Sequence, residues 1–391
     1  MTRLLAEKTT EKARLDLRKT MIQEFRAAYN DLELPPDLQQ KAHTHGLTLY
    51  LSGGGFRGWG YLLMSSHRIR PYPIPIVNGF SVPVKDFKNT SLVGDLAQQS
   101  LQDGNVFRVS KRRAAQVPAV SFLIDALATA IPTISEARFC QGGVREGWLF
   151  DTLPISVRAA DPLVAASGKY CSSHDSAAKI ADLLAASIPP NSSDLDRRAP
   201  KQVKDSHLLK SFANTLFLQQ SHSKETAALN ALHVPITGVL ANAHGAGHIE
   251  RALLALMLCQ RWGGEGDLPA PHGELKARLE MLLSQQQVWW ARYIGIIGNA
   301  LGEVYPAGII KQERISIEAV WTDGLGKKGL CQGVVVTLRV KKAPDGDAAV
   351  SREVVSEIVE TIEAMGKKKS RVGGREYGFG VPLRVDVEYD A

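Results

Sequence analysis

Residues 161–301 carry apolar spacing of helical period with no strand pattern to interrupt it, and stretches that read as strands lie on both sides. One fold cannot absorb that pattern, so the stretch reads as an all-α domain set between two mixed parts. A chain of 391 residues is long enough for two or three cores. Its helical windows fall at 174–187, 206–220, 224–232, 247–262 and 273–301. The polar, proline-bearing segment 188–204 reads as a mobile connection.

Ahead of it, residues 11–33 predict an amphipathic helix, with Met21, Ile22, Phe25, Ala28, Tyr29 and Leu32 on one face and Pro35-Pro36 as its stop. Residues 47–51 alternate as a strand does, and the run SGGGFRGWG at 52–60 then leads to a short helix at 61–64. Four prolines within 71–85 predict an extended surface segment with an edge strand. A helix is expected over 112–130, with Pro118 either in its first turn or marking its true start, followed over 134–150 by a strand, a Gly142-Gly143 turn and a helix from Val144. Beyond 305, Ile315, Ile317, Ala319 and Trp321 share a strand face, and Val334–Val340 is a second strand. Val354, Val355, Ile358, Val359, Ile362 and Met365 stripe a helix, and Leu383, Val385, Val387 and Tyr389 alternate in a last strand. The expected domains are 1–160, 161–304 and 305–391.

No apolar run reaches the roughly 18 residues a membrane span needs, and the N-terminus has no apolar core of a secretory signal. Cys140, Cys171, Cys259 and Cys331 are scattered without metal-ligand spacing, as reduced thiols of a cytoplasmic protein would be. A net charge of +7 permits an anionic ligand, although excess lysine on solvated faces is the commoner cause. No aromatic-rich basic patch points to specific nucleic-acid binding.

The sharpest local feature is Ser52-Gly53-Gly54-Gly55-Phe56-Arg57-Gly58, between a strand and a helix. Glycines let a backbone approach a ligand closely, a helix start offers free N–H donors to an anion, and Arg57 could add a forked donor. A tight structural turn fits the same residues, and the spacing is not that of a P-loop. The second turn, Gly142 to Gly147, carries Arg145 and Glu146, which either brace the helix or line an anion path. His244 and His248 are four apart, but Gly245 and Gly247 around them delay the helix to His248 and no third ligand is evident. His174-Asp175 stands at a helix start, where Asp175 suits a cap or first-turn acid. The basic glycine loop 366–375 reads as a solvated loop rather than a polyanion site. No catalytic triad can be argued.

Taken in order, the helix before SGGGFRGWG, the segment SKRRAAQVPAVSFLIDALATAI and the turn CQGGVREGWLFDTLP resemble the Ppx/GppA phosphatase family of exopolyphosphatases and guanosine pentaphosphatases. IRPYPIPIVNGFSVP and LALMLCQRWGGEGDLP look closer to its fungal, retrograde-signalling branch. The resemblance implies α/β plus all-α architecture: part of the second lobe of an actin-like (ASKHA) fold, a helical HD-like domain and a small C-terminal α+β domain. It also implies that the lobe bearing the family's catalytic carboxylate and main phosphate loop should precede residue 11, so the catalytic residues go unassigned and no metal ligand is expected. Gly53, Gly54, Gly55 and Arg57 would face a nucleotide, and Gly143, Arg145 and Glu146 a polyphosphate path. Mg²⁺ would arrive with such a ligand. The implied role is regulatory, through a nucleotide or polyphosphate, protein partners and a homodimer; phosphoanhydride hydrolysis by a full-length form is the alternative.

Overall fold

The computed structural model describes Leu5, Glu7 and residues 10–103, 110–131, 133–190, 197–264, 268–326, 329–342 and 350–390. They divide into two compact units, Met1–Arg158 and Ala159–Ala391.

In the first unit the Thr10 hydroxyl accepts from Ala13 N–H at 3.2 Å and starts helix α1 (Glu11–Asn30). Its apolar face brings Ile22, Met21 and Phe25 against Ala126, Ala130 and Ile131 of a later helix. There follow α2 (Pro36–Thr44), β1 (Leu47–Leu51), α3 (Gly54–Ser65), β2 (Ser81–Pro83), α4 (Val84–Phe87), α5 (Thr90–Asp103), α6 (Lys111–Ala114), α7 (Val117–Ala130), β3 (Ile134–Phe139), α8 (Val144–Asp151) and α9 (Ile155–Arg158). The strands form one sheet in the order β1-β3-β2. β1 runs parallel to β3, Leu49 opposite Ala137, and β2 runs antiparallel to it.

Two expectations change here. The helix after the glycine run begins at Gly54, not at 61, although glycine is a poor helix former. Packing overrides propensity: a Cβ on Gly60 would stand 2.6 Å from Val77 and 3.0 Å from Phe139, so only glycine lets α3 lie this close to its neighbours. The proline segment is extended and ends in the edge strand β2, but it is not superficial. Tyr72, Ile74, Val77 and Phe80 are buried. Prolines lack an N–H, so such a segment can enter a core with fewer donors to satisfy.

The second unit contains α10 (Pro162–Ser167), α11 (His174–Ala186), α12 (Ser206–Thr215), α13 (Lys224–His233), α14 (His248–Arg261), α15 (His272–Met281), α16 (Gln285–Val304), β4 (Ile315–Leu325), β5 (Cys331–Val340), α17 (Arg352–Met365) and β6 (Leu383–Tyr389). Residues 191–196 of the polar connection lie outside the described residues. The single long window expected at 273–301 is two helices. Ser284 Oγ accepts from Gln287 N–H at 3.1 Å while Gln287 Oε1 accepts from Ser284 N–H at 2.9 Å, a reciprocal cap that restarts the chain as α16. α14 is buried along nearly its whole length and packs on α16, where Gly295 approaches Met257 and Gln260 too closely for any Cβ.

β4 pairs antiparallel with β5, and β5 parallel with β6. The side chains Ile315, Ile317, Ala319, Val334, Val336 and Leu338 of the sheet are buried, as are Val355, Ile358 and Ile362 on one face of α17. This sheet and the residues leading into it are tied to the connection after α11 and to the end of α16. Trp321 Nε1 donates to Pro190 O at 2.8 Å, Arg197 Nη1 to Gln332 O at 2.7 Å, and Arg314 N–H to the Tyr305 hydroxyl at 2.8 Å. Residue 304 thus falls inside one unit, not at a break between two. The four cysteines are free thiols. Among the described residues no helix is long and apolar enough to cross a membrane.

Candidate functional site

β1 and β3 are parallel neighbours, so their carboxyl ends lie side by side, the place where open α/β sheets take ligands. Each strand leaves that end through one of the two glycine turns. Cys140 N–H donates to Leu51 O at 2.8 Å and the Ser52 hydroxyl to Gly142 O at 2.6 Å, which joins the two turns across 90 residues of sequence. Buried Asn78 accepts from Gln141 N–H at 3.0 Å and fixes the second turn from the proline segment. Neither Ser52 nor Asn78 stands out in the sequence as a site residue, because their partners are remote in the chain.

At the first turn Gly53 has φ 119°, in the left-handed range that favours glycine. Nothing lies within 4 Å of a Cβ built on Gly53 or Gly54, so this turn opens outward. Gly55 differs: its Cβ would stand 2.8 Å from Val120, so packing on α7 explains that glycine. α3 has no side-chain cap, and the N–H groups of Gly54, Gly55 and Phe56 have no acceptor among the described residues. Arg57, one position on, has its Nε buried without a partner. Uncapped donors, a positive helix end and an unsatisfied guanidinium N–H suit an anion together.

The second turn is built differently. Gly142 has φ 108° and Gly143 caps α8. The Glu146 carboxylate folds back over it, its Oε2 3.4 Å from where a Cβ on Gly143 would stand, so the start of α8 already has its negative charge. Arg145 is exposed on α8 and forms no ion pair with the described residues. Beside the turns, burial pushes the Cys140 thiol up, partly offset by Arg138 and the Leu51 backbone, so it is not an activated nucleophile.

From this turn onward the chain is apolar and outward-facing. No residue of α8 or α9 is buried: Val144 is 91% exposed, Trp148 67% and Ile155 76%, with Leu149, Phe150, Leu153 and Val157 also exposed.

The histidine pairs belong to the second unit. His248 opens α14 while His244 stays in the preceding turn, and His174-Asp175 forms the first turn of α11 behind the Ser173 cap. Among the described residues no group of three or more His, Cys, Asp or Glu could hold a metal ion.

The two units define a mixed α/β protein in which one small sheet presents paired glycine turns and a second sheet is fused to a helical body. The family described as RTG2 C-terminal domain matches residues 161–390, nearly the whole of the second unit, and the chain belongs to that family. It is similar to Retrograde regulation protein 2 of Saccharomyces cerevisiae (strain ATCC 204508 / S288c), 34% identical over 315 residues that cover 76% of this chain and 51% of that protein. The chain spans about half the length of that curated relative. The similarity is longer than the second unit and reaches into the first.

Proposed function

We propose that this chain is a regulatory module of the retrograde-signalling type that binds a nucleotide or polyphosphate at the uncapped start of α3. The observation that carries the reading is the pairing of three free backbone donors with the buried, unpartnered Nε of Arg57. In this reading Gly53, Gly54, Gly55 and Arg57 hold phosphate oxygens, while Gly143, Arg145 and Glu146 shape the neighbouring wall. The first unit then corresponds to part of an actin-like second lobe, and the helices of the second unit to an HD-like body. Mg²⁺ would come on the phosphates, since the described residues offer no cage of their own. The name of the similar yeast protein supports the regulatory role, and the exposed run 144–157 supplies a surface for a protein partner.

Isothermal titration with ATP, GTP and polyphosphate tests the binding. Arg57→Ala should weaken it about tenfold or more, the worth of one charge-assisted contact. Equal affinity in that variant would remove the site. Steady hydrolysis of polyphosphate or guanosine pentaphosphate by this chain would replace the regulatory reading with an enzymatic one.

A further inference from the structure

A cavity of about 480 Å³ opens at one end of the second sheet, where α17 stops and β6 starts. This lies within the range of small-molecule sites. Three cations stand around it: Lys367, Lys368 and Arg371. One carboxylate, Glu363, shares the lining, and its Oε1 already accepts from Val385 N–H at 3.2 Å.

The cations are not needed to finish the helix. Gly366 N–H donates to Glu363 O, Lys367 N–H to Ala364 O, and the Ser370 hydroxyl to Ala364 O at 2.8 Å, so the carbonyl end of α17 is already served. Lys367 and Lys368 form no side-chain hydrogen bond or ion pair with the described residues. Arg371 is held in place. Val372 and Phe379 exchange two backbone hydrogen bonds of 2.9 Å that close its loop. Its stem passes so near Gly380 that a Cβ there would stand 2.7 Å from Arg371 Cγ. Its Nη1 reaches the carbonyls of Arg375 and Glu376 at 3.5 and 3.3 Å, while Nε and Nη2 have no acceptor among the described residues. Pro382 and Leu383 give the cavity an apolar wall, and the Cys331 thiol lies in its lining.

We propose that this cavity binds a phosphorylated small molecule, its phosphate on Lys367, Lys368 and Arg371 and its uncharged body against Pro382 and Leu383. A dianion answers the surplus of positive charge, and the planar fork of Arg371 matches phosphate oxygens. The site lies in the second unit and does not depend on the site proposed at α3.

Phenyl phosphate is the probe, and alkylation of Cys331 by iodoacetamide, read by peptide mass spectrometry, is the readout. Phenyl phosphate should slow alkylation of Cys331 and leave Cys171 unaffected; inorganic phosphate should do so more weakly, and phenol not at all. Lys367→Gln with Lys368→Gln should raise the half-protecting concentration about tenfold or more. Arg371→Lys should raise it too, and unchanged melting temperatures would show that both variants fold. The proposal is overturned if phenyl phosphate leaves Cys331 unprotected, if the double variant is protected equally, or if benzoate protects as well as phenyl phosphate.

Discussion

Arg251 sits in α14 with no exposed surface and no ion pair among the described residues, yet both terminal nitrogens of its guanidinium are employed, and only its buried Nε lacks a partner there. Its Nη1 donates to Pro235 O at 2.7 Å and Leu240 O at 3.0 Å, and its Nη2 to Ala243 O at 2.6 Å. One guanidinium thereby ties down the irregular segment between α13 and α14. Burial lowers it to about 10, so it keeps its charge at neutral pH. Arg251→Met would strand three carbonyls, and a loss of about 3 kcal/mol or more is expected in denaturant unfolding. Arg251→Lys should fall between, because an ammonium lacks the fork. A change below about 1 kcal/mol would show that water replaces the contacts. His233 gives a pH test. Its Nε2 lies 3.1 Å from His272 Nδ1, and its Nδ1 lies 2.9 Å from Thr237 Oγ1. Burial first, then the neighbouring imidazole, lowers its pKa. A base held neutral in the fold takes up its proton more readily when unfolded. The stability is therefore complete above the ordinary histidine pKa of about 6.5 and is lost as pH falls from there to the lowered folded value. Melting temperature should drop between pH 7.5 and 5, and His233→Gln should flatten that drop. Neither contact is visible in the sequence: Arg251 reads there as one polar residue in an apolar helix, and the two histidines are 39 residues apart.

At the scale of elements, Gly60 sets two effects against each other. Gly60→Ala would favour α3 by about 1 kcal/mol through propensity. It would also drive a methyl to within 2.6 Å of Val77 and 3.0 Å of Phe139, and overpacking costs about 1–3 kcal/mol. The clash should win, with a net loss of about 1 kcal/mol in denaturant unfolding; a stabilised variant would show that α3 can slide off the sheet. Elements with a clear period were legible in sequence: α1, β1, β3, α17 and β6 stand where the apolar pattern places them. The misjudged ones turned on contacts the pattern does not carry. α3 begins early because its glycines pack, the proline segment is buried because a sheet and a helix close over it, and α15 and α16 separate at a cap of two polar side chains. The candidate site was legible as two separate turns. Their union through Ser52 was not, because adjacency of β1 and β3 is a property of topology.

At the scale of the whole molecule, the second unit has its own core, and the Trp321, Arg197 and Arg314 hydrogen bonds tie its sheet to the connection after α11 and to the end of α16. A fragment of residues 159–391 should retain helical circular dichroism and unfold in one cooperative transition. A cut at 304 instead should leave Trp290 without Trp321 and yield pieces that aggregate; two independently folding pieces would refute this. The outward apolar run over α8 and α9 bears on how the first unit is assayed. It starts at the Gly143 turn, so copies that cluster through this oily ridge would crowd the turns where we propose that a phosphate ligand docks. Apparent affinity at α3 should then drift with protein concentration, and Trp148→Gln with Ile155→Gln should make the titration independent of dilution.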